Sequence, residues 1–325
     1  MTTPLTRRRA LAAAALLALG LPGAVLAQAF PSKPLTFVVP FAAGSATDQL
    51  ARALGQSVTE QTKQAVVVEN KAGASGMMAA QAAARAPADG YTVLITTNTT
   101  HAANEHLYKK LPYDAVKDFA PVTGLGKGGQ VMVVNVNSPY KTVGDVVAAA
   151  KKSPGKLSFG SGSSSSRMAG EMLKQLSGTD ILHVPYKSNP MGITDLLGGQ
   201  IDFMITDTST GVPQVKAGKL RALGYSTQKR STQLPDVPTI DEAGVKGYDM
   251  GYWFAAYVPA GTPAPVVARL NELLGAAVRS TAAKTFFDTA GSEAWTTTPD
   301  ELAKFQTAET LKWGKVIKAA GIEPE

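Results

Sequence analysis

The chain has 325 residues, with 32 Lys plus Arg against 25 Asp plus Glu, a formal charge of +7 and no cysteine. Without cysteine there can be no disulfide, zinc–thiolate site or cysteine nucleophile, so stability has to come from burial. The positive excess is modest and spread out, with no Lys/Arg block beyond the N-terminus and no interleaved aromatics, which argues against nucleic-acid binding.

Residues 1–29 read as a cleavable export signal. Arg7, Arg8 and Arg9 form a positive start, and Ala10 to Leu21 an apolar run. Val25-Leu26-Ala27 or Ala27-Gln28-Ala29 then offers a small-x-small cleavage site, after Ala27 or after Ala29. The run is shorter than the roughly 20 residues that span a bilayer, so no stable membrane anchor is expected. Thr6 to Leu11 also fits a twin-arginine signal, which leaves that route and the general secretory route both open. No cysteine follows the run, so the expected product is a free periplasmic protein without a lipid anchor. Removing residues 1–29, which hold three Arg and no acid, leaves a charge of +4.

Strand and helix signals alternate from there. Leu35 to Phe41 reads as a strand, Asp48 to Glu60 as a helix, Ala65 to Glu69 as a strand and Met77 to Arg85 as a helix, with a further strand from Tyr91 to Thr96. A second series runs through strands at 130–135, 156–159, 182–185, 201–205 and 220–225. Helices at 143–152, 166–176 and 192–197 lie between them. The tail is helical over 265–279, 282–290 and 299–318. This alternation implies βαβ units, hence an α/β protein with largely parallel sheets.

One device recurs: a strand, a loop of small residues, then a helix start. It appears at Pro40 to Asp48, Asn70 to Gly76, Phe159 to Ser166 and Tyr186 to Gly192, two copies in each half. A helix start leaves backbone N–H groups unpaired and carries partial positive charge, so it suits an anion. In open α/β sheets such loops meet in one crevice at the strand C-termini. The expected contacts are therefore Phe41, Ala43, Gly44, Ser45, Thr47 and Asp48, then Ala74 and Ser75, then Ser161, Ser163 and Ser164, then Tyr186 and Ser188. Asn98, Thr99 and His101 follow one strand end and Asp207 follows another, so they join the candidates; Asp48 equally suits its own helix start.

His183 reads as a structural histidine in an apolar strand. His101 and His106 lack the spacing and the third ligand of a metal site, so neither metal nor cofactor is expected. The serine run 163–166 has no nucleophile elbow, and no nucleotide-phosphate cradle is expected. An enzyme is therefore not anticipated.

Several segments are similar to one known family. They are Phe30 to Leu35, Val39 to Gly44 with Asp48, Ala88 to Thr92, His183 to Lys187 and Asp195 to Gln200. Gly218 to Leu223, Leu234 to Thr239 with Glu242 to Gly244, and Pro259 to Pro263 continue the match. Together they resemble the Bug-type receptors, the solute-binding proteins of tripartite tricarboxylate transporters, over essentially all of the chain beyond the signal. The resemblance implies a type II periplasmic binding protein, a two-domain Venus flytrap. Residues 30–128 plus 249–325 would form one domain and 129–248 an inserted second one. It implies a monomeric receptor for a small mono- or dicarboxylate, aromatic acids included, that serves separate membrane permease subunits. A receptor read by a sensor kinase is the alternative. Main-chain amides and water at Phe41 to Asp48 and Gly73 to Met77 would hold the acid. Ser45, Ser75 and Ser188 stand where the family commonly has glycine, and Met168 near where it often has histidine. Met168, Met191, Trp253 and Phe254 are then expected to offer apolar contact.

Overall fold

The computed structural model describes residues 30–319 and 321–324, so the signal reading lies outside the described residues. The described residues from Lys33 onward form one compact unit.

The first sheet grows from an apolar strand, β1 (Leu35–Val39), flanked in parallel by β2 (Val66–Asn70) and β3 (Thr92–Thr97). Between β1 and β2 runs α1 (Ala46–Thr62). Ser45 caps it by accepting from Asp48 N at 3.3 Å, and Lys63 ends it in the left-handed region at φ 60°. Leu50, Leu54 and Val58 recur at helical spacing and are buried, so this face packs on the sheet. The helix α2 (Met77–Ala84) follows β2, and a π-turn at Thr99–Ala103 leads into the short α3 (Asn104–Leu107) after β3.

Next comes β4 (Phe119–Asn135), a 17-residue strand that belongs to two sheets. Its first part, to Gly129, pairs antiparallel with β9 (Gly251–Pro259), which also lies against β3. From Gln130 to Asn135 it pairs with β7 (Phe203–Asp207) and β8 (Leu220–Tyr225). In that second sheet β5 (Ser158–Ser161) lies parallel to both β6 (Leu182–Pro185) and β7. Strand order is thus β2-β1-β3-β9-β4 in one sheet and β6-β5-β7-β4-β8 in the other. The same winding occurs twice. Each sheet is parallel where βαβ units build it and antiparallel where β4, β8 and β9 join it.

The helices α4 (Val143–Lys152), α5 (Ser164–Ser177), α6 (Asn189–Leu197) and α7 (Thr208–Lys216) serve the second sheet. The first is closed by α8 (Ala264–Val278), α9 (Thr281–Ala290), a two-residue β10 (Glu293–Ala294) and α10 (Pro299–Ala319). Phe159 and Phe203 stack with ring centroids 5.9 Å apart in the second sheet's core. Gly170 lets α5 lie on them, since a Cβ there would meet the Phe159 ring at 2.1 Å.

The first half of β4 and the whole of β9 escaped the sequence reading. The first half of β4 holds Gly124, Gly126, Gly128 and Gly129, residues that weaken a strand in isolation. Trp295, Phe287, Tyr252 and Tyr225 lie against them so closely that an added Cβ would meet each ring within 2.6 Å. Gly124, Gly126 and Gly129 also match the spacing of a dinucleotide fingerprint. They sit inside a strand, not at a strand-to-helix turn, so no phosphate cradle is formed. The aromatic run of β9 is buried along nearly its whole length, which hides the alternation of a half-buried strand. The helix α7 was missed too, because Pro213 lies inside it.

Candidate functional site

The starts of α1, α5 and α6 meet the end of β7 around one narrow gap. From α1 and the loop before it come Phe41, Ser45 and Thr47, and from the start of α5 come Gly162, Ser163 and Ser165. Asn189 opens α6, Asp207 ends β7, and Thr97, Tyr252 and Phe254 complete the wall. The free space is about 10 Å³, room for a single water, so the two sides stand almost in contact. No Lys, Arg or His lines it among the described residues.

Hydrogen bonds set each wall. Asp48 is nearly all buried and faces its own loop. One carboxylate oxygen accepts from Gly44 N at 2.8 Å and from Arg52 Nε at 3.1 Å, while the other accepts from Asn70 Nδ2 at 2.9 Å. Asn70 Nδ2 also donates to the Phe41 carbonyl at 3.0 Å. Burial disfavours the Asp48 charge, but the bonds from Arg52, Gly44 and Asn70 and the Arg52 charge outweigh it and hold the pKa below the usual carboxylate value. Asp48 thus clamps the loop that carries Phe41 and Ser45; its oxygens are engaged by the protein.

On the opposite side Asn189 is the organiser. Its Oδ1 accepts from Gly162 N at 2.9 Å and from Ser166 Oγ at 3.1 Å, which orients Nδ2 to donate to Asp207 Oδ2 at 2.9 Å. Gly162 is obligatory, because a Cβ there would meet Asn189 N at 2.0 Å. Asp207 occupies the N-cap position of α7 but makes no cap bond; its side chain turns to Asn189 and the gap. Burial pushes its pKa up to about 6. Ser188, at the start of α6, is also without a cap bond, and its buried Oγ has no partner.

The sequence-predicted residues divide. Phe41, Ser45, Thr47, Ser163 and Asp207 line the gap. Ala43, Gly44 and Ala74 are exposed and are not part of its lining, and Gly44 takes φ +81°. Ser75 sits in the left-handed region at φ 49°, consistent with the glycine expected there, and its Oγ meets Tyr108 OH at 2.9 Å. Ser161 pairs with His183 Nε2 at 2.7 Å across neighbouring strands. Ser164 donates to Asn104 Oδ1 at 2.8 Å. Tyr186 donates to Asp195 at 2.9 Å, and burial and that carboxylate push its pKa up to about 12. Asn98 and Thr99 are fully buried and are not part of the gap's lining, and their side-chain amide and hydroxyl make no hydrogen bond within the protein.

Three expectations are corrected. His101 is fully buried, stacks on Tyr257 with centroids 3.9 Å apart, and is held neutral by burial with its pKa lowered to about 3; it belongs to the core. Met168 is a core residue of α5, not a pocket surface. Trp253 turns away to donate to Glu309 at 3.1 Å and Met191 is 47% exposed, so of the proposed apolar contacts only Phe254 reaches the gap.

Thr97, Gly162, Ser165, Asn189 and Tyr252 were missed as contacts. Asn189-Pro190 at a helix start was the available signal for one of them. A larger cavity, about 460 Å³, lies beside the joining strands, with Lys127, Tyr225, Trp253, Phe305 and Lys312 among its lining. No group of residues suited to a metal occurs among the described residues, and no helix there is long and apolar enough to cross a membrane.

Known proteins share this fold. Residues 50–322 match the model of the tripartite tricarboxylate transporter family receptor. Protein BugT of Bordetella pertussis is 31% identical over 93% of this chain and 94% of its own length. A protein of Pseudomonas sp. (strain P51), from the tcbD-tcbE intergenic region, is 36% identical over 89% of this chain and 87% of its own. The solved periplasmic binding protein BugD superposes with a TM-score of 0.87 at 32% identity, covering 91% of this chain and all of its own. An R. palustris protein solved with adipate gives 0.87 at 34% identity with the same coverage. MatC from Rhodopseudomonas palustris, solved with malate, gives 0.84 at 30% identity, over 89% of this chain and 100% of its own. These are two-domain α/β solute-binding proteins and not enzymes, and this chain belongs to the Bug-type receptors of the tripartite tricarboxylate transporter family.

Proposed function

We propose that the chain is a periplasmic receptor that binds a small carboxylate and delivers it to the membrane subunits of a tripartite tricarboxylate transporter. The carrying observation is the convergence of the α1, α5 and α6 starts on one gap lined by Ser45, Ser163 and Asn189. Their dipoles and free N–H groups favour an anion without any cationic side chain. The proteins of like fold solved with adipate and malate support the ligand class.

The lobes are residues 30–128 plus 249–325, and 129–248. β4 changes sheets between Gly129 and Gln130 and the return strand begins at Gly251, which supports these limits. The ligand enters between the lobes, and their closure gives the narrow gap. Residues 1–29 direct export.

Calorimetry with malate, adipate, citrate and benzoate, and mass spectrometry of ligand released from the purified protein, test the reading. Binding of at least one acid at micromolar or tighter affinity is expected. If a neutral solute binds and no acid does, the reading is wrong. Loss of uptake of the bound acid on deleting the permease genes tests the transport role.

A further inference from the structure

We infer that Asp207 makes the cleft selective for carboxylates that also carry a hydrogen-bond donor, a hydroxyl or an ammonium, over plain dicarboxylates of the same length. This rests on the carboxylate-receptor reading above.

The gap carries a conflict of sign. Helix starts make the gap attractive to an anion at Ser45 and Ser163, yet the ionisable side chain on its wall is a carboxylate. Asp207 is not there by default. An Asp at an N-cap ordinarily accepts from its own helix, and this one does not. Asn189 holds it instead, and the Asn189 amide cannot turn over, because Gly162 N and Ser166 Oγ both donate to its oxygen. The carboxylate is thus positioned by a donor whose own orientation is fixed.

The site is therefore of mixed sign: the starts of α1, α5 and α6 bring donors and positive dipoles, while Asp207, at the end of β7 beside the α5 and α6 starts, is an acceptor. A dianion would set a second carboxylate against Asp207 with no cation on the lining to separate them. A hydroxyl or ammonium at that end would donate to Asp207 and relieve a part-buried charge. Its burial, which raises the pKa to about 6, makes that relief matter while leaving the group mostly ionised at neutral pH.

The test is calorimetry at pH 7.5 with probes matched in length: succinate against malate and aspartate, and adipate against 2-aminoadipate. In the wild type, the best donor-bearing acid is expected to bind at least tenfold tighter than its plain counterpart. In Asp207→Asn the plain acid should gain affinity, bringing the ratio within about threefold. Circular dichroism checks that the variant folds, and the wild-type ratio stands as a test without it. Equal binding of plain and donor-bearing acids by the wild type, or a ratio that a folded Asp207→Asn leaves unchanged, overturns the inference while the carboxylate reading survives. If none of these acids, citrate or benzoate binds at all, that reading fails and the inference falls with it.

Discussion

Ser164 Oγ donates a 2.8 Å hydrogen bond to Asn104 Oδ1, tying the first turn of α5, on the second sheet, to α3, on the first. Asn104 is itself held, since its Nδ2 donates to the Ser75 carbonyl at 3.0 Å. The bond is local to the place where the two sides meet. Ser164→Ala removes a bond worth about 1 kcal/mol, and it does so in the arrangement where the sides touch. Ligand affinity should fall about three- to tenfold by calorimetry, with little change in the melting temperature. Unchanged affinity would show that the ligand-bound state lacks this bond.

Asp48 should link loop order to pH. Its folded pKa lies below its ordinary 3.8, so the folded state gains stability from the charged form. That stability is complete above 3.8 and is lost as pH falls through the lower, folded value. Comparing urea midpoints of wild type and Asp48→Asn from pH 7 down to pH 2.5 should show a wild-type advantage that vanishes at the acid end. A constant difference at every pH would remove the charged clamp from the account.

Asp207 has the opposite sign. With a folded pKa of about 6 against 3.8, the folded chain keeps a proton that the unfolded chain releases. Stability therefore falls as pH rises between those values, by on the order of 1–3 kcal/mol. Asp207→Asn removes the effect, so the variant should gain on wild type in melting temperature from pH 4 to pH 7. A gain that does not grow over that range would contradict the raised pKa.

Two glycines near the gap should respond differently to alanine. A Cβ at Gly162 would collide with the backbone of Ser188 and Asn189 at 2.0 Å, where nothing flexible can yield. Gly162→Ala should cost about 3 kcal/mol or more in urea unfolding and displace α6. A Cβ at Gly44 meets nothing within 4 Å, and only its φ of +81° resists. Gly44→Ala should cost about 1 kcal/mol, with the fold retained. Equal costs would deny the close packing at Gly162.

The short, patterned elements were legible. α4 matches its expected limits because Thr142 and Asp145 form a reciprocal capping box at one end, a purely local signal. The small-residue loops before α1 and α5, capped by Ser45 and Ser163, were readable for the same reason. The first half of β4 and all of β9 were not, since glycines packed against rings and a strand buried along its length acquire their meaning only from partners far along the chain.

The sequence by itself determined that this is an α/β chain with small-residue loops before its helices, because caps, turns and apolar periods are set by near neighbours. Its resemblance also named the family. Tertiary structure decided which loop residues face the gap. Asp48 turns to Arg52 and Asn70, His101 stacks on Tyr257, and Asn189 becomes the organiser of Gly162 and Asp207. The direction of a polar side chain depends on which partner arrives across the fold, and spacing along the chain carries no record of that.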